Sequence, residues 1–144
     1  MKAKEYLGQL ERWNTQIQQK LLQVKELREL RGNLGSFDYS KERVQTSGCS
    51  NTVEESTIKL LTLENEVQQD IINYAIRKDQ IVNEIHTLND PIHINLLFKR
   101  YVEFKRLEVI SVEMGYTYPY IRELHGVALQ NFQSSYTNLQ RNVI

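Results

Sequence analysis

Residues 53–88 read VEESTIKLLTLENEVQQDIINYAIRKDQIVNEIHTL, and an apolar or aromatic side chain recurs at every seventh position of this stretch. A seven-residue period is typical of a long amphipathic helix that packs against another helix. The stretch therefore predicts a helix that begins near Val53, where Thr52 and Glu55 can form a capping box. The residues of the repeat are Val53, Leu60, Val67, Tyr74, Ile81 and Leu88, and Leu61, Ile71, Val82 and Ile85 are expected to fill the same side.

A second amphipathic pattern lies upstream, over residues 6–34, and predicts a first long helix. Residues 31–52 contain three glycines among serine, threonine and asparagine, so they are expected to form the loop between the two helices. Residues 1–88 should then form an antiparallel helical hairpin, or a parallel coiled coil between chains if the loop opens. The apolar stripe of the first helix consists of Tyr6, Leu7, Leu10, Trp13, Ile17, Leu21, Val24 and Leu27.

Residues 89–144 are expected to form a separate head domain, because Asn89-Asp90-Pro91 is a helix stop followed by a restart. Within the head, residues 107–126 read LEVISVEMGYTYPYIRELHG and match the helix-turn-helix pattern. Two helices that cross through a short turn need a small residue in the first helix and a glycine with positive φ at the turn. Ser111 and Gly115 meet these two needs. The residues expected to lock the second helix against the head are Ile110, Met114, Tyr116, Ile121, Leu124, Ala128 and Phe132.

The outward side of the second helix is the side that enters the major groove in DNA-bound helix-turn-helix proteins. Arg122 can grip a guanine edge through two hydrogen bonds, and Glu123 can accept one from a cytosine amino group. Tyrosines can touch a phosphate or a thymine methyl group, and the cations that precede the motif are the natural phosphate contacts. The predicted DNA-binding residues are Thr117, Tyr118, Tyr120, Arg122, Glu123 and Gly126 on the second helix, and Lys99, Arg100, Lys105 and Arg106 before the motif.

Composition argues against several other classes of function. The 144 residues include 18 basic and 18 acidic ones, so the zero net charge gives no global attraction to nucleic acid or to an anionic membrane. No segment approaches the roughly 18 apolar residues of a membrane span, and a single cysteine suits the reducing cytoplasm. Cys49 and the three histidines lack metal-ligand spacing, and no catalytic grouping or phosphate-binding glycine loop occurs. We therefore expect a cytoplasmic all-α protein that is not an enzyme and holds neither a metal nor a cofactor.

Four segments precede the helix-turn-helix, namely YLGQLERW at 6–13, LREL at 27–30, ERVQTSGCS at 42–50 and LLFKRYV at 96–102. In this order they resemble small phage and prophage proteins, the ArpU/RinA-like late transcription regulators of Gram-positive hosts, whose C-terminal part is similar to the fourth region of sigma factors. The resemblance implies an activator of phage late genes that binds double-stranded DNA and acts with the host RNA polymerase in the bacterial cytoplasm. Phe104, Lys105 and Arg106 stand where such heads usually have Gly and Ser or Thr, so a poorly capped helix start is expected there.

Two other hypotheses are compatible with the same pattern. A small terminase subunit also joins a helix-turn-helix to an oligomerising coil, and a closed ring of subunits in solution would favour it. A coiled-coil adaptor whose head binds protein is favoured by the scarcity of cations, since Arg122 is the only one between Thr117 and Gln140. Association into a homo-oligomer through the long helices is expected in each case.

Overall fold

The computed structural model describes the backbone of residues 2–36 and 47–142 and the side chains of residues 2–32 and 53–142. Its elements are α1 (Ala3–Ser36), α2 (Ser47–His86), α3 (Pro91–Leu97), a π-helical segment (Phe98–Val102), α4 (Leu107–Met114) and α5 (Tyr118–Asn142). Every regular element in these ranges is a helix, which confirms the all-α fold. In the same ranges, none of the helices combines the length and the apolar composition needed to cross a membrane.

The first long helix ends later, and the second begins earlier, than the sequence predicted. The loop expected at 31–52 was too long, since α1 continues to Ser36 and α2 already begins at Ser47. A glycine inside a helix costs only about 1 kcal/mol relative to alanine, so Gly32 weakens α1 without ending it. The capping box between Thr52 and Glu55 does not begin α2, and Cys49, expected in the loop, belongs to the helix. The side chains of Cys49 and Thr52 and the whole of residues 37–46 lie outside the described residues.

The chain divides into two compact units, one formed by Met1–Asn14 with Tyr74–Ile144 and the other by Thr15–Asn73. The division differs from the boundary at 88/89 expected from the sequence. The reason is that the first turns of α1 and the last turns of α2 share an apolar core with the C-terminal helices. We call the first unit the head unit and the second the hairpin unit.

In the hairpin unit, α1 and α2 run antiparallel and pack through a narrow apolar seam. Its buried residues are Val24, Leu60 and Val67, with Leu27 and Leu63 packed against them. Ion pairs join Lys20 to Asp70 and Arg28 to Glu64 across the two helices. The α1 residue with the higher number pairs with the α2 residue with the lower number, so the two helices run in opposite directions.

Four apolar side chains that were expected on the packed side are exposed instead. They are Leu21, Val53, Leu61 and Ile71, with exposed fractions of 39%, 46%, 54% and 43%. One neighbouring helix covers only the central positions of a heptad stripe, so side chains at the flanks of the stripe stay in contact with water.

The head unit contains two adjoining cores that share α5. Leu96, Ile110 and Ile121 form the first, in which α3, α4 and the start of α5 meet. The second joins the ends of α1 and α2 to α5 and includes Leu7, Leu10, Ile81, Ile85, Leu97, Ala128 and Phe132. Backbone and rings reinforce this second core, because the Ala3 amide donates to Gln133 Oε1 at 2.7 Å and Tyr6 stacks on Phe132.

A pair of identical substitutions on α2 tests this core. Ile85→Ala should lower the free energy of unfolding by about 2–4 kcal/mol, because Ile85 is fully buried and its removal leaves a cavity. Ile76→Ala, at a side chain that is 61% exposed, should change it by less than about 0.5 kcal/mol. Urea denaturation followed by far-ultraviolet circular dichroism measures both, and equal losses would contradict the assignment of the core.

Candidate nucleic-acid interface

The turn between α4 and α5 has the geometry that its glycine predicted. Gly115 ends α4 in the left-handed region, with φ of +73°. In this conformation its amide and that of Tyr116 donate back to the carbonyls of Val112 and Ser111, at 3.3 and 2.9 Å. Side chains with a Cβ rarely adopt such a φ, so glycine allows the chain to leave α4 and enter α5 within three residues.

The small residue of α4 is also confirmed. Ser111 is buried, and its hydroxyl donates to the Glu108 carbonyl oxygen at 2.6 Å, one turn earlier in the same helix. The Ser111 hydroxyl group, which an alanine would lack, therefore has a hydrogen-bond partner although it is buried.

The apolar residues expected to pack α5 against the rest of the head were predicted correctly except at one position. Ile110 and Ile121 are fully buried, and Met114 and Leu124 pack against them. Tyr116 was wrongly assigned to this lock, since it is 38% exposed and its ring contacts Tyr120 at 5.1 Å between centroids. Because Tyr116 directly follows the left-handed Gly115, its side chain lies beside the first turn of α5 and not beneath it.

The first three turns of α5, together with Thr117 just before them, present the predicted recognition residues on an exposed surface. Thr117, Tyr118, Tyr120, Arg122, Glu123 and Gly126 are all exposed. The Arg122 guanidinium lies over the Tyr118 ring at 5.8 Å, a cation–π contact that restricts where the arginine points. Pro119 lies in the first turn, where its missing amide proton costs the helix nothing.

The four cations before the motif are not equally available. Glu113 of α4 accepts from Lys99 Nζ at 2.9 Å and from Lys105 Nζ at 2.8 Å, and Lys105 also reaches Glu103 at 3.2 Å. The two lysines lower the pKa of Glu113 by hydrogen bonding, so it remains a carboxylate. Sequence reasoning missed this carboxylate, because Glu113 lies fourteen positions from Lys99 and eight from Lys105.

The two arginines of this group behave differently from each other. Arg100 donates from Nη1 to the Lys105 carbonyl oxygen at 3.3 Å and lies over the Tyr101 ring. Arg106 is exposed at the start of α4 and makes no side-chain capping bond there, as the sequence predicted.

The segment that leads into α4 contains an unusual backbone conformation. Phe104 has φ of +59°, the only positive φ among non-glycine residues of the described chain. A bulky side chain with such a φ costs about 1–3 kcal/mol. The ring packs against the second core of the head unit, which offsets the strain.

Two histidines link α5 to the helices before the motif. His125 Nε2 lies 2.8 Å from the Tyr101 hydroxyl, and His93 Nδ1 lies 3.0 Å from Asn131 Nδ2. Burial, with smaller contributions from the positive Arg100 and Lys4, lowers the pKa of His125 to about 4. His125 is therefore neutral at physiological pH. Among the described residues, no three His, Cys, Asp or Glu side chains lie close enough together to hold a metal ion.

Comparison with protein-family models, curated proteins and solved structures found no significant match. The case for this interface therefore depends on the geometry and charges described above.

The lowered pKa of His125 predicts sensitivity to acid in a defined range. An unfolded histidine has a pKa of about 6.5, whereas the folded His125 takes up its proton only near pH 4. Its contribution to stability is thus complete above pH 6.5 and is lost as the pH falls towards 4. His125→Gln should remove about 1–2 kcal/mol of that acid-induced loss, a figure reduced for the partial exposure of the ring.

Urea titrations at pH 7 and pH 4.5, followed by the fluorescence of Trp13, measure this difference. His86→Gln, at an exposed histidine, is the matched control for the substitution itself. An identical loss in the wild type and His125→Gln would contradict the assignment.

Proposed function

We propose that this protein is a sequence-specific DNA-binding transcription regulator. The observation that carries the proposal is the exposed row of polar and aromatic side chains on the first turns of α5, held by a three-helix core and a left-handed glycine turn. An α-helix with its side chains is about 10–12 Å wide and fits the major groove of B-DNA, which is about 12 Å wide.

The recognition residues have distinct roles in this proposal. Arg122 donates two hydrogen bonds to a guanine edge, and its contact with Tyr118 limits the rotamer freedom lost on binding. Glu123 accepts from a cytosine amino group. Thr117, Tyr118 and Tyr120 contact phosphate or a thymine methyl group, and Gly126 allows the backbone to approach the groove closely.

The cations before the motif supply the grip on phosphate. Arg106 is available without rearrangement, and Arg100 is held in place by its carbonyl contact. Lys99 and Lys105 must exchange Glu113 for phosphate oxygens, so each gains less than a free lysine would. A single chain then binds DNA weakly and with a shallow dependence on salt, which favours a homo-oligomer as the functional form.

The resemblance to ArpU/RinA-like regulators extends the proposal. By that analogy the protein acts in the cytoplasm of a bacterial host and activates phage late genes together with the host RNA polymerase. The sigma-like order of the head helices is the feature that suggests a polymerase contact.

A coiled-coil adaptor is the second candidate. It is favoured by one observation, the pairing of two of the four cations with Glu113 in the free protein. An adaptor would retain no DNA at low salt.

Arg122→Ala tests the proposed readout. The loss of a two-bond base contact should weaken binding to the preferred DNA fragment by about tenfold to a hundredfold. Arg12→Ala, at an exposed arginine of α1, is the matched control and should leave the affinity within about twofold. Mobility-shift titration against tiled fragments of the protein's own genomic neighbourhood, at two salt concentrations, measures both. Equal affinity of Arg122→Ala and the wild type for every fragment would refute the readout.

Glu113→Gln tests whether its lysines contact phosphate. The change frees Lys99 and Lys105, so DNA affinity should rise at low salt. The slope of log affinity against log salt concentration should steepen by the amount expected for about one to two additional phosphate contacts. Glu108→Gln also removes one negative charge from α4, but among the described residues Glu108 forms no ion pair with a lysine, so the change should affect the salt dependence little. If the two variants behaved alike, the two lysines would not be phosphate contacts.

A further inference from the structure

The hairpin unit carries a second stripe on α2, outside the buried seam with α1. Its first residue, Ile58, also lines the groove beside Leu27 and Leu30 of α1. Ile58, Leu61, Asn65, Gln68 and Ile72 follow one another at steps of three and four residues, and all five are exposed. This spacing is that of the facing positions in a coiled coil. We call these five residues the outer stripe.

Two charged side chains of α2 are directed away from the outer stripe. Glu64 and Asp70 pair with Arg28 and Lys20 of α1, so two of the acids in this part of α2 are engaged on the inner side. The outer stripe and its neighbours Thr62 and Gln69 carry no charge over four turns. The exposed side of a helix that faces only water is normally rich in charged residues. An uncharged stripe with three large aliphatic side chains is typical of a contact between helices.

The outer stripe is complementary to itself when one copy is reversed. With a two-fold axis between positions 66 and 67, Leu61 of one chain faces Ile72 of the other and Asn65 faces Gln68. Apolar side chains then meet apolar ones, and carboxamides meet carboxamides. An interface between two identical surfaces requires this kind of self-complementarity.

Charge decides between the two possible directions. Residues 53–72 contain five acids and a single lysine. In a parallel pair, the three acids that do not pair with α1, namely Glu54, Glu55 and Glu66, would each lie at the level of their own copies. In the antiparallel pair Glu66 lies at the level of Val67 and Glu55 at the level of Lys78, so of these three acids Glu54 alone lies at the level of another acid, Asp79.

We propose that a second copy of this chain docks antiparallel along the outer stripe and forms a two-fold dimer. The central Asn65 and Gln68 layers exchange carboxamide hydrogen bonds and fix the register, as buried amides do in coiled coils. None of the head residues takes part, so this interface stands independently of the proposed DNA binding.

Disulfide trapping tests both the contact and its direction. In a Cys49→Ser background, Leu61→Cys and Ile72→Cys are made as separate proteins with tags of different length and are oxidised alone and as a mixture. The antiparallel dimer predicts a mixed disulfide in the mixture and little cross-linking in either protein alone. Cross-linking of Leu61→Cys with itself would indicate a parallel pair and overturn the proposal. No cross-link in any sample of folded protein would overturn it too.

Sedimentation equilibrium of the uncross-linked protein provides the second measurement. The wild type should be a dimer at tens of micromolar, and Leu61→Glu should shift the equilibrium at least tenfold towards monomer. Leu22→Glu, at a leucine of α1 that is 56% exposed, is the matched control and should remain a dimer. Both changes lie at exposed positions, so circular dichroism should show unchanged helix content. A monomeric wild type would overturn the proposal whatever the protein does with DNA.

Discussion

The burial of one side of α5 is the constraint on which the head unit depends. Ile121 enters the core formed with α3 and α4, while Ala128 and Phe132 enter the core formed with the ends of α1 and α2. All three side chains are 0–2% exposed, and each large one contributes about 1.5–3 kcal/mol on burial. The opposite side of the same turns is left to water, which is why Tyr118, Arg122 and Glu123 are exposed together.

Much of the fold could be predicted from the sequence because periodicity reports which side of a helix is buried. The repeat at Leu60, Val67 and Ile81 identified the inner side of α2 correctly. The ends of the helices could not be predicted, since a glycine such as Gly32 lowers helix stability without setting a boundary. The flanks of the stripe were misjudged for a different reason. Whether Leu61 is covered depends on how many helices pack around α2. The spacing of apolar residues within α2 does not give that number.

The candidate interface shows a similar division. The turn glycine and the exposed side of α5 follow from local steric rules, so the left-handed conformation of Gly115 and the exposure of Arg122 could be predicted from the motif alone. The electrostatic state of the interface could not, because it arises from contacts between residues distant in sequence. Glu113 reaches back fourteen positions to Lys99, and burial against Tyr101 keeps His125 neutral. The left-handed Phe104 was also hidden, since its strain is offset only by the packing of its ring in the folded protein.

The continuity of α5 has a consequence for how this chain can vary in length. The helix runs without interruption from Tyr118 to Asn142. The side chains that it contributes to the two cores therefore have a fixed angular relation about one helix axis. One residue inserted between Ile121 and Ala128 would turn the recognition surface by about 100° relative to the second core. Only an insertion close to a whole number of turns, such as seven residues, restores the phase. Length changes in this part of α5 therefore redirect the surface that we propose reads DNA.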